Sequence, residues 1–192
     1  MKRILEPEVM DTPQEAAEYD AMDFTEVNTA FAEKAIALVP KKATVLDAGT
    51  GTARIPIILA SQRPEWQITG IDLASSMLEL GAKNIQAAGL EKQIVLETID
   101  AKEMPYSEQE FDIVISNSLV HHLPNPLPFL KEVKRVLKPN GAILIRDLLR
   151  PQNETLMNQM VAEIGAEYDE HQAKLLEILE DCFEGYAIFP GS

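Results

Sequence analysis

From Ala43 onward, short apolar runs alternate with longer stretches whose apolar positions recur every three or four residues. Thr44–Asp47, Gln67–Asp72, Ile94–Thr98, Phe111–Ser116 and Ala142–Asp147 read as strands. Between them Ala53–Ser61, Ser75–Ala88 and Pro126–Leu137 carry helical spacing. Gly89 ends the second of these helices, and Lys138-Pro139-Asn140-Gly141 stops the third. Val45-Leu46 and Ile113-Val114-Ile115 leave no polar face, so both sides of the sheet are expected to be covered. Covered strands alternating with helices predict an α/β fold with a doubly wound, mostly parallel sheet and helices on both faces.

Helical flanks are expected at both ends. Thr12-Pro13-Gln14-Glu15 has the form of a capping box with proline at the first helical position. A longer helix follows over Glu26–Leu38, closed by Pro40. Asn153–Ile164 and Glu170–Phe183 read as two further helices around Gly165, before a tail that is either a short strand or loose. The 192 residues suit one domain, with a flank or lid over 1–40, a core over 41–150 and a helical segment over 151–192.

Sheets of this kind take ligands at the carboxyl ends of their strands, where the strand order reverses. After the first strand come Gly49 and Gly51, which let the chain turn sharply and let a ligand approach the backbone. Asp47 sets a carboxylate beside that turn, attractive to a cationic amino group and repulsive to a pyrophosphate; a plain tight turn is the alternative. Asp72 closes the second strand, where an acid accepts hydrogen bonds from ribose hydroxyls or caps the next helix, although Ser75 is the better-placed cap. Asp100-Ala101 offers an acceptor for an adenine amino group beside a small residue, and a capping aspartate fits equally. Ser116-Asn117-Ser118, followed by His121 and His122, is where a reacting substrate would sit.

Taken together, residues 43–150 resemble the class I S-adenosylmethionine-dependent methyltransferases, most closely the small-molecule branch of the ubiquinone/menaquinone-biosynthesis type. Asp47-Ala48-Gly49-Thr50-Gly51 matches the acid-x-Gly-x-Gly turn, and Gly70-Ile71-Asp72-Leu73-Ala74-Ser75-Ser76-Met77-Leu78 the next motif. Asp100-Ala101 with Pro105, Phe111-Asp112, His121-His122-Leu123 and Val136–Ala142 match the later blocks in order. The resemblance implies a Rossmann-like sheet of order 3-2-1-4-5 that holds S-adenosyl-L-methionine. Asp47, Gly49 and Gly51 would lie along its amino-acid part and Asp72 on its ribose. Leu73, Met77, Asp100 and Ala101 would lie about its adenine, and Asn117 beside the cofactor. Two departures stand out. Ala53 occupies a position often held by glycine. Only about 42 residues follow Arg150, mostly helical, where the family adds two strands; a trimmed fold, a shortened chain and strands swapped in a homodimer all fit.

Such a cofactor implies in-line displacement of an activated methyl, with no metal and no placed nucleophile. The Asp/Asn-Pro-Pro-Tyr signature of base amino methylation is absent, its place taken by Asn117-Ser118-Leu119-Val120. Cys182 lies too far along the chain to serve pyrimidine methylation. A small-molecule acceptor is therefore expected over nucleic acid, with protein substrates left open. No catalytic residue follows directly: His121 and His122 are candidates for a general base, or one packs under a helix while the other faces solvent. Tyr19 and Phe24 are expected either to form a lid or to anchor the flank. Two rival functions stay open. A nicotinamide-dependent oxidoreductase shares the glycine turn, but the third glycine and any Tyr-x-x-x-Lys pair are missing. A cofactor- or partner-binding module without turnover is the other.

Charge narrows the partners. The net charge is -14, and residues 1–40 hold 9 acids against 3 bases while 151–192 hold 9 against 1. The centre is neutral, so no basic face suggests nucleic acid. No apolar run is long enough for a membrane helix, and the start lacks the apolar stretch of a secretory signal. With a single cysteine, no internal disulfide or multi-cysteine metal site is available, and a cytoplasmic setting is expected.

Overall fold

The computed structural model describes residues 11–147. Its elements run α1 (Pro13–Asp20), α2 (Thr25–Leu38), β1 (Thr44–Ala48), α3 (Arg54–Gln62), β2 (Gln67–Asp72), α4 (Ser75–Ala88) and β3 (Ile94–Thr98). They continue with β4 (Phe111–Asn117), a 3-10 turn (Val120–His122), α5 (Leu127–Val136) and β5 (Leu137–Arg146). The five strands form one sheet of order β3-β2-β1-β4-β5, with all four pairings parallel. This is the expected α/β, Rossmann-like arrangement.

Alternation along the strands divides the core in two. On one face Val45, Ile68, Ile94, Ile113 and Ile115 pack with Phe31, Ala32 and Ala35 of α2, Leu59 of α3, Ile85 of α4 and Trp66. The Trp66 indole donates its Nε1–H to the Pro40 carbonyl at 3.1 Å, so a fully buried ring keeps its polar atom satisfied. On the opposite face Leu46, Ile71 and Val114 are buried as well, and α5 buries Phe129, Val133 and Val136.

Local chemistry explains the ends of the elements. Thr12 and Glu15 form the expected reciprocal capping box, with Pro13 opening α1. Gly89 closes α4 at φ +70°, a conformation glycine adopts without a Cβ clash. Ser75, however, does not cap α4. It is the first helical residue, and the carboxylate of Asp11 fills the role from a distance, accepting the Ser76 N–H at 2.8 Å while the Ser75 hydroxyl donates to it at 3.2 Å. The last strand also differs from expectation. It starts at Leu137 and carries Lys138-Pro139-Asn140-Gly141 within it, with a register irregularity between Phe111 and Ile113 that absorbs Asn140 at φ +64°. Between the pairs at Phe111 and Ile113, β5 advances five residues while β4 advances two, so three residues of β5 loop out of the ladder, and a proline there interrupts no pairing with β4.

Among the described residues, 11–120 and 125–146 make up one compact unit; His121–Pro124 and Asp147 belong to a second. The C-terminal helices, the trimmed sheet ending and Cys182 fall outside the described residues. Among the described residues no helix is long and apolar enough to cross a membrane, and no group of three or more His, Cys, Asp or Glu is placed to hold a metal ion.

Candidate active site

Beyond β1 the chain turns over Gly49-Thr50-Gly51, with the N–H groups of Gly49 and Thr50 both directed at the Ile71 carbonyl, 2.9 and 3.0 Å away. Gly49 sits at φ +76°, and a Cβ there would stand 3.0 Å from the Leu119 side chain. Gly51 at φ +54° donates its N–H to Asp72 Oδ2 at 2.9 Å. Ala53 takes φ +62° at the start of α3, fully buried, and Gly81 of α4 packs beside it: a Cβ on Gly81 would come within 3.3 Å of Ala53 Cβ. The departure from glycine at this position is thus a strained alanine, tolerated because its one methyl fills a space that Gly81 leaves.

Asp47 is the electrostatic centre of the turn. It is 2 % exposed, and burial pushes its carboxyl up to about 7, with Asp72 adding to the rise. The Thr50 hydroxyl lies close enough to offset part of this but not in hydrogen-bond geometry. Asp72 is also raised by burial, against which the N–H groups of Ala74 and Gly51 donate to its two oxygens. The Leu73 N–H lowers it as well, and a carboxylate's four lone-pair sites leave room for one further donor. The hydroxyls of Thr50 and Thr52 are buried beside this turn without a hydrogen bond, whereas the equally unpaired Ser116 hydroxyl lies on the opposite face of the sheet from Asp47.

A cavity of about 480 Å³ opens here. Asp47, Gly49, Thr50 and Asn117 line it from the strand ends, and Tyr19, Phe24 and Asn28 line it from the N-terminal flank. The Tyr19 and Phe24 rings lie 5.7 Å apart, and Tyr19 Cε1 is 3.8 Å from where a Gly51 Cβ would stand. Burial and then the carboxylates of Asp72 and Asp47 raise the Tyr19 hydroxyl above its ordinary range, so it stays protonated and able to donate. A larger hollow of about 680 Å³ beside Lys131, Lys134 and Lys138 lies at the amino ends of β4 and β5, away from the strand ends where such sheets bind.

Of the remaining candidates, Leu73 is 36 % exposed directly after Asp72, an apolar side chain left open beside a polar one. Met77 is buried against Ala16 and Ala74, with Tyr19 and Leu80 packed on the same cluster. Asp100 accepts the Lys102 N–H at 2.8 Å through Oδ1, the capping arrangement, while Ala101 is buried next to it. In the second unit, His121 Nδ1 lies 2.7 Å from Asp147 Oδ1, and the His121 and His122 rings are 4.0 Å apart.

Two groups escaped the sequence reading. Arg54 of α3 grips Asp20 of α1 through both carboxylate oxygens, at 2.7 and 2.6 Å, and Asn84 joins Asp20 to the Thr52 carbonyl. Arg146, at the end of β5, donates to Asn117 Oδ1 at 2.6 Å and to the Val27 carbonyl at 2.8 Å. Each tie joins residues distant in sequence, and no local motif announces it.

The whole span from 40 to 184 matches the family model described as a methyltransferase domain. The chain belongs to the class I S-adenosylmethionine-dependent methyltransferase family. The match runs beyond residue 150 to take in the C-terminal segment. A demethylmenaquinone methyltransferase of Lactobacillus johnsonii is 38% identical over 109 residues, covering 56% of this chain and 45% of that protein. The ubiquinone/menaquinone biosynthesis C-methyltransferase UbiE of Geotalea daltonii is 30% identical over 123 residues, 64% of this chain and 52% of its own length. The chain is similar to both, and it spans about half the length of these curated relatives. A Methanococcus maripaludis structure, described as a candidate S-adenosyl-L-methionine-dependent methyltransferase, superposes with a TM-score of 0.70 at 21% identity, over 94% of this chain and 87% of its own. That likeness is one of fold.

The family's cofactor can be tested against the residues present. A cavity at a glycine turn, a buried carboxylate with no cation bound among the described residues, and the buried hydroxyls of Thr50 and Thr52 in its lining fit a ligand with a cationic end and a polar body. They do not fit a pyrophosphate, which Asp47 and Asp72 would repel.

Proposed function

We propose that this chain binds S-adenosyl-L-methionine across the ends of β1, β2 and β4 and catalyses transfer of its methyl group to a small-molecule acceptor. The buried Asp47 carries the reading: a carboxyl raised to about 7 beside the open Gly49–Gly51 turn is completed by a ligand ammonium, which returns it to its ionised form. Asp72 holds the ribose through its remaining lone-pair site, Leu73 lies against the adenine, and Ala101 leaves room for the ring with Asp100 at its amino edge. Met77, already engaged by Ala16 and Ala74, supports that site from behind.

The cofactor supplies a methyl already activated by its sulfonium. The protein's part is to hold the acceptor in line with that methyl and to exclude water, for which Tyr19 and Phe24 form the cover. No catalytic residue is assigned. His121 and His122 enter as candidates for a base, and unchanged turnover after replacing each by alanine removes them.

Relatives named for menaquinone and ubiquinone methylation make quinol head groups the first acceptors to try. Transfer of labelled methyl from S-adenosyl-L-methionine into such quinols or into a metabolite extract tests the proposal, with label expected in an extractable small molecule. Cofactor binding with no transfer to any pool favours the module without turnover. Hydride transfer with NAD would make it an oxidoreductase.

A further inference from the structure

We propose that Arg146 is a positioning residue that fixes the amide of Asn117, so that its Nδ2 presents an N–H donor to the carboxylate of an amino-acid ligand beside Asp47. The inference rests on the cofactor reading above and goes on to assign the polarity of one wall of the site.

The register supplies the starting point. Asn117 and Arg146 are paired residues of β4 and β5, and Asp47 is paired with Ile115, two positions before Asn117. Residues two apart on a strand face the same way, so Asn117 and Asp47 project from one face of the sheet, and both line the same cavity. A guanidinium in a protein is always protonated and can only donate. Arg146 Nε lies 2.6 Å from the Asn117 side chain, so the atom facing it must be the carbonyl oxygen. An asparagine amide normally allows either end to turn toward a ligand; here one end is committed. What Asn117 has left is its amino group, a donor.

Arg146 is itself held from two further directions. Its Nη1 donates to the Val27 carbonyl of α2 at 2.8 Å, and its guanidinium lies over the Phe31 ring, 5.1 Å from the centroid. Both contacts immobilise the guanidinium, and through it the amide. The wall therefore carries an acceptor at Asp47 and a donor at Asn117. That pair matches the ammonium and carboxylate borne by one carbon of an amino acid, and mismatches a ligand whose polar end only donates.

Two ligands separate this role from general support of the site: S-adenosylhomocysteine, which has the amino-acid portion, and 5′-methylthioadenosine, which has the same nucleoside without it. Calorimetric titration of both into the full chain is made with wild type, Asn117→Asp and Arg146→Gln. Asn117→Asp keeps the oxygen that Arg146 grips, so its thermal unfolding midpoint should match wild type. Its donor is replaced by a negative charge, so S-adenosylhomocysteine should bind at least about tenfold more weakly. Methylthioadenosine affinity should not change. Arg146→Gln should show the same selective loss, smaller in size, because its amide can turn either way. Equal S-adenosylhomocysteine affinity in wild type and Asn117→Asp overturns the proposal, as does a parallel loss of both ligands. Wild type binding neither ligand overturns the cofactor reading itself, a result distinct from the other two.

Discussion

Replacing Asp47 by asparagine should flatten the pH dependence of stability of the ligand-free protein. Asp47 titrates near its ordinary value of 3.8 when unfolded and at about 7 when folded. Between those values the folded chain retains a proton that the unfolded chain has lost, so stability falls as pH rises through this window. At about pH 5 the folded protein keeps nearly all of this proton, and at about pH 8 it has lost nearly all. The difference amounts to roughly 2–3 kcal/mol, from about 1.4 kcal/mol for each unit of separation that remains. Asp72 is raised too and adds slope of the same sign, but it does so in both proteins. The gap between the wild-type and Asp47→Asn curves therefore reports Asp47 together with its coupling to Asp72, whatever constant penalty the buried amide brings. Urea unfolding at about pH 5, 6, 7 and 8, without ligand, measures it. Asparagine should gain on wild type by roughly 2–3 kcal/mol across the range while losing S-adenosylhomocysteine binding. Parallel curves, with a gap changing by less than about 0.5 kcal/mol, would refute the reasoning, because Asp47 would then titrate alike in both states.

Gly70→Ala places a methyl 2.7 Å from Thr50 Oγ1 and 2.8 Å from Leu96 Cδ2, and should cost about 1–3 kcal/mol in denaturant unfolding. Thr12→Ala breaks the capping box of α1 and should lower its stability by about 1 kcal/mol, read as faster amide exchange over Pro13–Asp20. Asp20→Asn weakens the grip on a half-exposed Arg54, so global stability should move by no more than about 1 kcal/mol. Proteolysis within α1 should nevertheless quicken, since that grip joins α1 to α3.

Where turn chemistry bounds an element, the pattern of residues located it end for end, as for Gln67–Asp72, Ser75–Ala88 and Ile94–Thr98. Gly89 at a left-handed helix end and the Asp72-Leu73-Ala74 corner are local signals, and local sequence carries them. β5 departs from its sequence pattern because Pro139-Asn140-Gly141 has the composition of a turn, and only pairing with β4 reveals that a register irregularity accommodates it. The cap of α4 was misassigned for a related reason: Asp11 reaches Ser76 across 65 residues, while Ser75 is merely adjacent. Along the cavity, Asp47, Gly49 and Asn117 were legible because each lies at the carboxyl end of a strand, and the sheet order brings those ends together. Asp20, Arg54 and Arg146 act through side-chain pairs set by helix packing and strand register, which no single stretch of chain encodes.

The claim on which the rest depends is that the Gly49–Gly51 turn with Asp47 and Asp72 forms a site for an adenosyl amino acid. Calorimetric titration of S-adenosylhomocysteine and NAD into the purified wild-type chain tests it most directly. Saturable binding of S-adenosylhomocysteine at one site per chain, with no heat from NAD, is the predicted result. Saturable NAD binding with none for S-adenosylhomocysteine would contradict it.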